Sequence, residues 1–188
     1  ITEEKVWMKY YTEEARNAEL PKMKALDYII EQNKDRIDEP AIHYYGTDIT
    51  FRGLLKRINA IARSLTALGV KEGDIVSFVS VAIPETIAAI YALNKIGAAA
   101  NTIDPRMDVN SIKRMVKESG SKILFVIDMA FPKVERIMDE IKQEKIIVQS
   151  PASSLPPLKK AALTLVSKTK ISYDHTVIKW NTFIDMGK

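Results

Sequence analysis

Residues able to hold a charge, donate an electron pair or bind a metal are present in this sequence, but few stand at spacings that chemistry requires. The seven glycines lie at positions 46, 53, 69, 73, 97, 120 and 187. Phosphate cradles need small residues crowded ahead of a helix, where backbone N–H groups can approach anionic oxygens. Neither G-x-G-x-x-G nor G-x-x-x-x-G-K-[ST] can be assembled from those positions. Gly69, Gly97 and Gly120 instead close helical patterns, while Gly46 and Gly73 mark turns. His43 and His175 stand far apart in the sequence, and neither has a partner at metal-ligand spacing. His43 alternates with tyrosines and reads as a packed or edge residue of a strand. Asp174 and His175 are adjacent, and adjacent side chains point apart in most backbones. No G-x-S-x-G elbow occurs, and Ser153-Ser154 sits among prolines without a base nearby. With no cysteine, thiolate nucleophiles, disulfides, iron–sulfur clusters and the common structural zinc sites are excluded. No catalytic residue and no metal ligand is assigned.

The elements that would position any site follow from the apolar pattern. The first forty residues read as a polar helical arm, in which Pro21 starts a segment with Met23, Leu26, Ile29, Ile30 and Asn33 at helical spacing. Residues 41–45 and 48–51 are β-prone runs around Gly46-Thr47, a predicted hairpin. Thr50 can cap the next helix, whose Leu54, Leu55, Ile58, Ile61, Ala62, Leu65 and Leu68 form one apolar stripe ending at Gly69. From residue 75 strand and helix alternate. Residues 75–81, 98–103, 123–127 and 146–148 are apolar runs of the kind buried on both faces of a sheet. Between them lie helices opened by Pro84-Glu85, by Asp108 and by Pro132, the last carrying Val134, Ile137, Met138 and Ile141. Crossovers of this length imply parallel strands. The predicted fold class is therefore α/β, a mostly parallel doubly wound sheet with flanking helices and an N-terminal β-hairpin. Residues 1–150 form the α/β unit and 151–188 a linker and tail. In that tail Leu158 to Val166 is a short amphipathic stretch, and Trp180 and Phe183 would share a helix face.

In open α/β sheets ligands sit beyond the carboxyl ends of strands. Those ends carry Ala82-Ile83-Pro84, Asp104-Pro105-Arg106 and Asp128-Met129. Asp104, Pro105 and Arg106 are the candidate cofactor-binding residues. Asp128 suggests an alternative, a receiver-like or flavodoxin-like signalling module, since a proline follows four residues later as it would after a phosphoacceptor. A receiver also needs an acidic pair after its first strand and a lysine after its last. Here Ala82-Ile83-Pro84 and Gln149-Ser150-Pro151 occupy those places.

A chain of 188 residues with 46% hydrophobic and 28% charged residues can bury a core. The net charge of +4 is spread along it and does not indicate nucleic acid. Lys159, Lys160, Lys168 and Lys170 lack interleaved aromatics and read as a solvated face. The uncharged run 75–84 falls well short of the roughly 20 residues that cross a bilayer. A polar first segment without a secretory layout, together with the missing cysteines, predicts a cytoplasmic protein.

With the segments placed, the stretch from Ala41 to Ser150 resembles the N-terminal part of the AMP-forming acyl-CoA synthetases, the acyl-adenylate-forming superfamily. Ile49-Thr50-Phe51-Arg52-Gly53-Leu54 looks like the family's "(L/I)-T-(Y/F)-x-E-L" segment, with Gly53 in place of the usual acidic residue. Leu68 to Val76 looks like its "L-G-V-x-x-G-D-x-V" turn. Ile83-Pro84-Glu85, residues 92–98 and residues 101–105 are similar to its "P-E … A-x-x-x-x-G-A" run, and Trp180 to Gly187 to its "W-x-x-F-(I/L)-x-x-G" segment.

The resemblance implies an enzyme that activates a carboxylic (fatty) acid with ATP and magnesium to an acyl-adenylate, then forms the coenzyme A thioester. The family's Ser/Thr/Gly-rich phosphate loop, adenine and ribose segments, hinge and C-terminal lysine all lie beyond the part matched. The resemblance therefore implies small-molecule partners for the parent enzyme, namely acid, ATP and coenzyme A. For this segment alone it implies no bound cofactor, no activity, and self-association through apolar surface that the rest of the enzyme would cover.

Overall fold

The computed structural model describes residues 5–166 and 170–188, with the side chains of 163–166 left aside. Residues 1–4 and Lys168, both used above, lie outside the described residues. A hairpin of β1 (Pro40–Tyr44) and β2 (Thr47–Thr50) precedes a five-stranded sheet of β3 (Ile75–Val79), β4 (Ala99–Ile103), β5 (Ile123–Ile127), β6 (Lys145–Gln149) and β7 (Val177–Lys179). The order across the sheet is β4-β3-β5-β6-β7, and every pair is parallel. This is a doubly wound order, with its topological switch between β3 and β5.

The strands read as unbroken apolar runs because alternate residues enter two cores. Phe78, Phe125, Ile147 and Ile178 join one, under α3 (Phe51–Ala67) and α4 (Pro84–Ile96). Val79, Leu124, Val126, Ile146 and Val148 join the other, under α5 (Val109–Ser119). The Phe78 and Phe125 rings stack at 4.8 Å on the first face.

Local signals set the helix ends. The Thr50 hydroxyl accepts from the Gly53 N–H at 3.1 Å, and the Asp108 carboxylate accepts from the N–H groups of Asn110 and Ser111, each filling an orphan donor of the first turn. Pro84 opens α4 and Gly97 closes it at φ 82°. A Cβ on Gly97 would lie 2.9 Å from Glu72 Cγ, so both backbone sign and space favour glycine there.

Four local expectations shift. The hairpin turn is Tyr45-Gly46, not Gly46-Thr47: both residues have positive φ, as the two-residue turn matched to strand twist requires. The helix of the N-terminal arm, α2 (Ala25–Gln32), starts four residues after Pro21. Its start is fixed by docking on the end of α4: Leu26 N–H donates to Asn94 Oδ1 at 3.0 Å and Lys24 Nζ to the Lys95 carbonyl at 2.9 Å. The helix expected from Pro132 is two, α6 (Phe131–Glu135) and α7 (Met138–Ile141). The chain leaves helical geometry at Ile137 (φ −118°, ψ 4°), and in this way Phe131, Val134, Ile137 and Ile141 all reach the second core.

The fourth shift concerns the tail. After α8 (Pro157–Val166), residues 177–179 pair with β6 as the edge strand β7, and α9 (Trp180–Asp185) packs on α3. Trp180 and Phe183 do share a helix face, and both rings meet Phe125, at 6.1 and 5.3 Å.

Candidate functional site

At the carboxyl ends of β3, β4 and β5 the sheet opens into a cleft of about 860 Å³. Its place at the strand-order reversal is the one that doubly wound sheets offer to ligands, because the two loops leave in opposite directions there. The floor is the Val81-Ala82-Ile83 run after β3, together with Ile127 at the end of β5 and Ala130 after it. Tyr44 and Tyr45 of the hairpin line it from a second element, edge to face at 4.9 Å. Pro151 and Leu155 line it from the loop after β6. The walls are thus mostly apolar, with three cations, Arg106, Lys133 and Lys159, among the lining residues.

Those cations are fixed by their neighbours. Arg106 holds Asp104 through both carboxylate oxygens, Nε at 3.0 Å from Oδ1 and Nη2 at 2.6 Å from Oδ2. Its backbone N–H adds a bond of 2.8 Å to Oδ1. These bonds to the charged form pull the Asp104 carboxyl down to about 2. Lys133 Nζ donates to the carbonyls of Pro105 and Met107 at 2.8 and 2.9 Å, pinning the loop after β4. Lys159 Nζ donates to the Tyr45 carbonyl at 2.8 Å, tying α8 to the hairpin turn. The Tyr44 hydroxyl donates to the Pro151 carbonyl at 3.1 Å. Burial, with the Glu85 charge second, raises the Tyr44 phenol above its ordinary value.

Beside the cleft lies a buried polar layer that the sequence did not disclose. The Ser154 hydroxyl donates to Glu85 Oε1 at 2.6 Å and accepts from Arg57 Nη1 at 2.7 Å. Gln149 Oε1 accepts from the Ser80 and Thr86 hydroxyls at 3.2 and 2.9 Å. Glu85 Oε2 and Gln149 Nε2 are buried without a partner among the described residues.

Of the residues singled out in sequence, Pro105 and Arg106 line the cleft, and Asp104 reaches it only through Arg106. His43 is exposed on the hairpin, its Nδ1 2.5 Å from Oδ1 of the cross-strand Asp48. Asp174 caps the turn into β7 by accepting from Thr176 and Val177 N–H. Asp128 Oδ1 accepts from the Met129 N–H at 2.7 Å. Sequence reasoning missed Tyr44, Tyr45 and Lys133. The tyrosines end a β-prone run just before a predicted turn, and Lys133 follows a helix-opening proline, so neither position carries a chemical signature.

The model of the AMP-binding enzyme family matches residues 29–178, about four-fifths of the chain. The chain belongs to the AMP-binding enzyme family. Acetyl-coenzyme A synthetase 2 of Candida glabrata is 36% identical over 97 residues, 48% of this chain and 14% of that protein. The long-chain-fatty-acid–CoA ligase of Bacillus subtilis is 24% identical over 173 residues, 91% of this chain and 31% of that protein. In the fold, coronafacic acid ligase from Pectobacterium brasiliense superposes with a TM-score of 0.69 at 22% identity, over 87% of this chain and 29% of that one. The chain therefore spans less than a third of the length of these AMP-binding relatives. The family membership replaces the receiver-type alternative built on Asp128, and no helix among the described residues is long and apolar enough to cross a membrane.

Proposed function

We propose that this chain is the N-terminal α/β part of an AMP-forming acid–CoA ligase, supplying architecture and one wall of the ligand site but not the groups that activate the carboxylate. The reaction read for the whole enzyme joins a carboxylic acid to AMP with release of pyrophosphate, then moves the acyl group to the coenzyme A thiol. The observation that carries the reading is the cleft at the switch between β3 and β5, in a chain of the AMP-binding family. Its apolar walls suit an organic group; the Asp104-Pro105-Arg106 turn stands at its edge with Arg106 already paired to Asp104, so positive charge for an anionic portion of a cofactor comes from Lys133 and Lys159, which bond to carbonyls.

The described residues offer no glycine-rich cradle for the phosphates of magnesium–ATP. Among them no group of three His, Cys, Asp or Glu side chains forms a protein-only metal site, and magnesium carried by a nucleotide would take one or two carboxylates beside its phosphates. The glycines with positive φ sit in the hairpin turn, in the turn before β3 and at helix ends, rather than ahead of a helix where phosphate would be cradled. No step of adenylation is therefore assigned to this chain. Apolar side chains are exposed, Met129 at the cleft and Leu158 on α8 above all, which supports self-association of the segment. A cytoplasmic setting belongs to the same proposal, since a fold without cysteine needs no oxidising compartment.

The test is to incubate the chain with ATP, magnesium and a panel of acetate, benzoate and long-chain fatty acids, following pyrophosphate. No release above the enzyme-free control is expected, and acid-dependent turnover would refute the reading.

A further inference from the structure

Away from the cleft, on the opposite side of α3, two adjoining hollows of about 660 and 720 Å³ share Asn59, Arg63 and Lys188. Arg52, Lys56, Asn59, Arg63 and Thr66 recur at steps of four and three along α3, all exposed, and so form one stripe on its outer face. Lys95 from the end of α4 and Lys188 after α9 add to it. No Asp or Glu side chain lines either hollow. The floor is apolar, with Leu55 and Ala60 of α3, Ile184 of α9 and Ile37.

Some of this charge is already used. Arg52 is held by Asp38 at 2.7 Å, Lys188 by Asp185 at 2.5 Å, Arg63 Nε by the Gly187 carbonyl, and Lys95 Nζ by Asn59 Oδ1. A carbonyl and an amide do not neutralise a cation, and Lys56 has no acidic partner among the described residues. Lys56, Arg63 and Lys95 therefore leave the groove with uncompensated positive charge.

We infer that this groove is a docking surface for an acidic amphipathic helix of a partner protein. Charge complementarity selects the sign, and the concave apolar floor between basic rims selects the form, since a helix can lay an apolar face into such a groove while its acidic residues meet the rims. The stripe from residue 52 to 66 runs about 21 Å, which matches a helix of about fourteen residues. Single-stranded nucleic acid is disfavoured because no aromatic side chain lines the groove for bases to stack on. A membrane surface is disfavoured because the apolar residues form the floor of a hollow and do not protrude. A second copy of this chain does not supply the occupant from its described residues: α1 (Glu13–Asn17) and α7 have five and four residues, and α2, with exposed Asp27 and Glu31 four apart, has eight and already buries Leu26 in its own core.

The probe is a fluorescein-labelled helical peptide of about fourteen residues with leucines at i, i+4, i+7 and i+11 and glutamates flanking that stripe at i+1, i+3, i+8 and i+10. Anisotropy with the 188-residue chain should show binding that weakens as salt rises from about 50 to about 300 mM. Lys56→Glu should weaken it roughly tenfold, and Lys56→Gln by less, because reversal adds repulsion to lost attraction. Far-UV circular dichroism checks that both variants keep the fold. Equal binding by both variants and the parent chain would overturn the inference. So would equal affinity for a peptide with lysines in place of the glutamates, or binding to phosphatidylserine vesicles or oligonucleotides with none to the acidic peptide. None of these outcomes bears on whether the chain belongs to an acid–CoA ligase.

Discussion

The Ser154 hydroxyl lies 2.6 Å from Oε1 of Glu85, joining the loop after β6 to the first turn of α4. Glu85 is buried, and its Oε2 has no partner among the described residues. Its charge is balanced by the N-terminus of α4 and by Arg57 Nη1 at 3.9 Å. Ser154 bonds both ions and thereby holds the wall of the cleft that carries Pro151 and Leu155.

Ser154→Ala is expected to cost about 2 kcal/mol, since it removes the closest donor to a buried carboxylate. Urea unfolding followed by circular dichroism measures this. Glu85→Gln, which keeps shape and removes the charge, should cost less. A change under about 0.5 kcal/mol for Ser154→Ala would mean that the network contributes little.

Gly187 ends the Trp180-to-Gly187 segment that resembles a family motif, and the packing shows why glycine stands there. A Cβ at this position would lie 2.6 Å from the backbone nitrogen of Ser64. Gly187→Ala should therefore push α9 away from α3 at a cost of about 1–3 kcal/mol. Because Trp180 sits on α9 beside Phe125, its fluorescence should shift as well. Unchanged emission with unchanged stability would show that the two helices part without consequence.

Asp104 titrates near 2 because Arg106 bonds its charged form, against an ordinary value of 3.8. A carboxyl lowered on folding stabilises the protein above its unfolded value and loses that contribution as pH falls from about 4 towards 2. A carboxylate-detected NMR titration should place the Asp104 midpoint near 2. In Arg106→Leu the midpoint should return towards the ordinary aspartate range. A midpoint that ignores the loss of Arg106 would remove the pairing from the description of the cleft rim.

Much of the α/β core was legible because its signals are local and redundant. Pro84 and Gly97 bracket α4, Thr50 caps α3, and the runs around Phe78, Phe125 and Ile147 are apolar on both faces, as a covered parallel sheet demands. The strand order was not legible, since periodicity says nothing of which strands are neighbours. The start of α2 is set by Asn94 and Lys95, about seventy residues away in sequence. Residues 177–179 are too few for a strand signal and become β7 by pairing with β6. At the site, the position of Asp104-Pro105-Arg106 followed from the rule on strand ends. The hairpin tyrosines and the Glu85–Ser154 pair depend on how distant segments meet, and that is written in no short motif.

The central claim, that this chain builds a wall of the site without the nucleotide-activating groups, is tested most directly by calorimetric titration with magnesium–ATP. The account predicts no saturable heat at nucleotide concentrations up to about 1 mM, the weak end of the affinity scale. A saturable isotherm with a Kd in the micromolar range would contradict it.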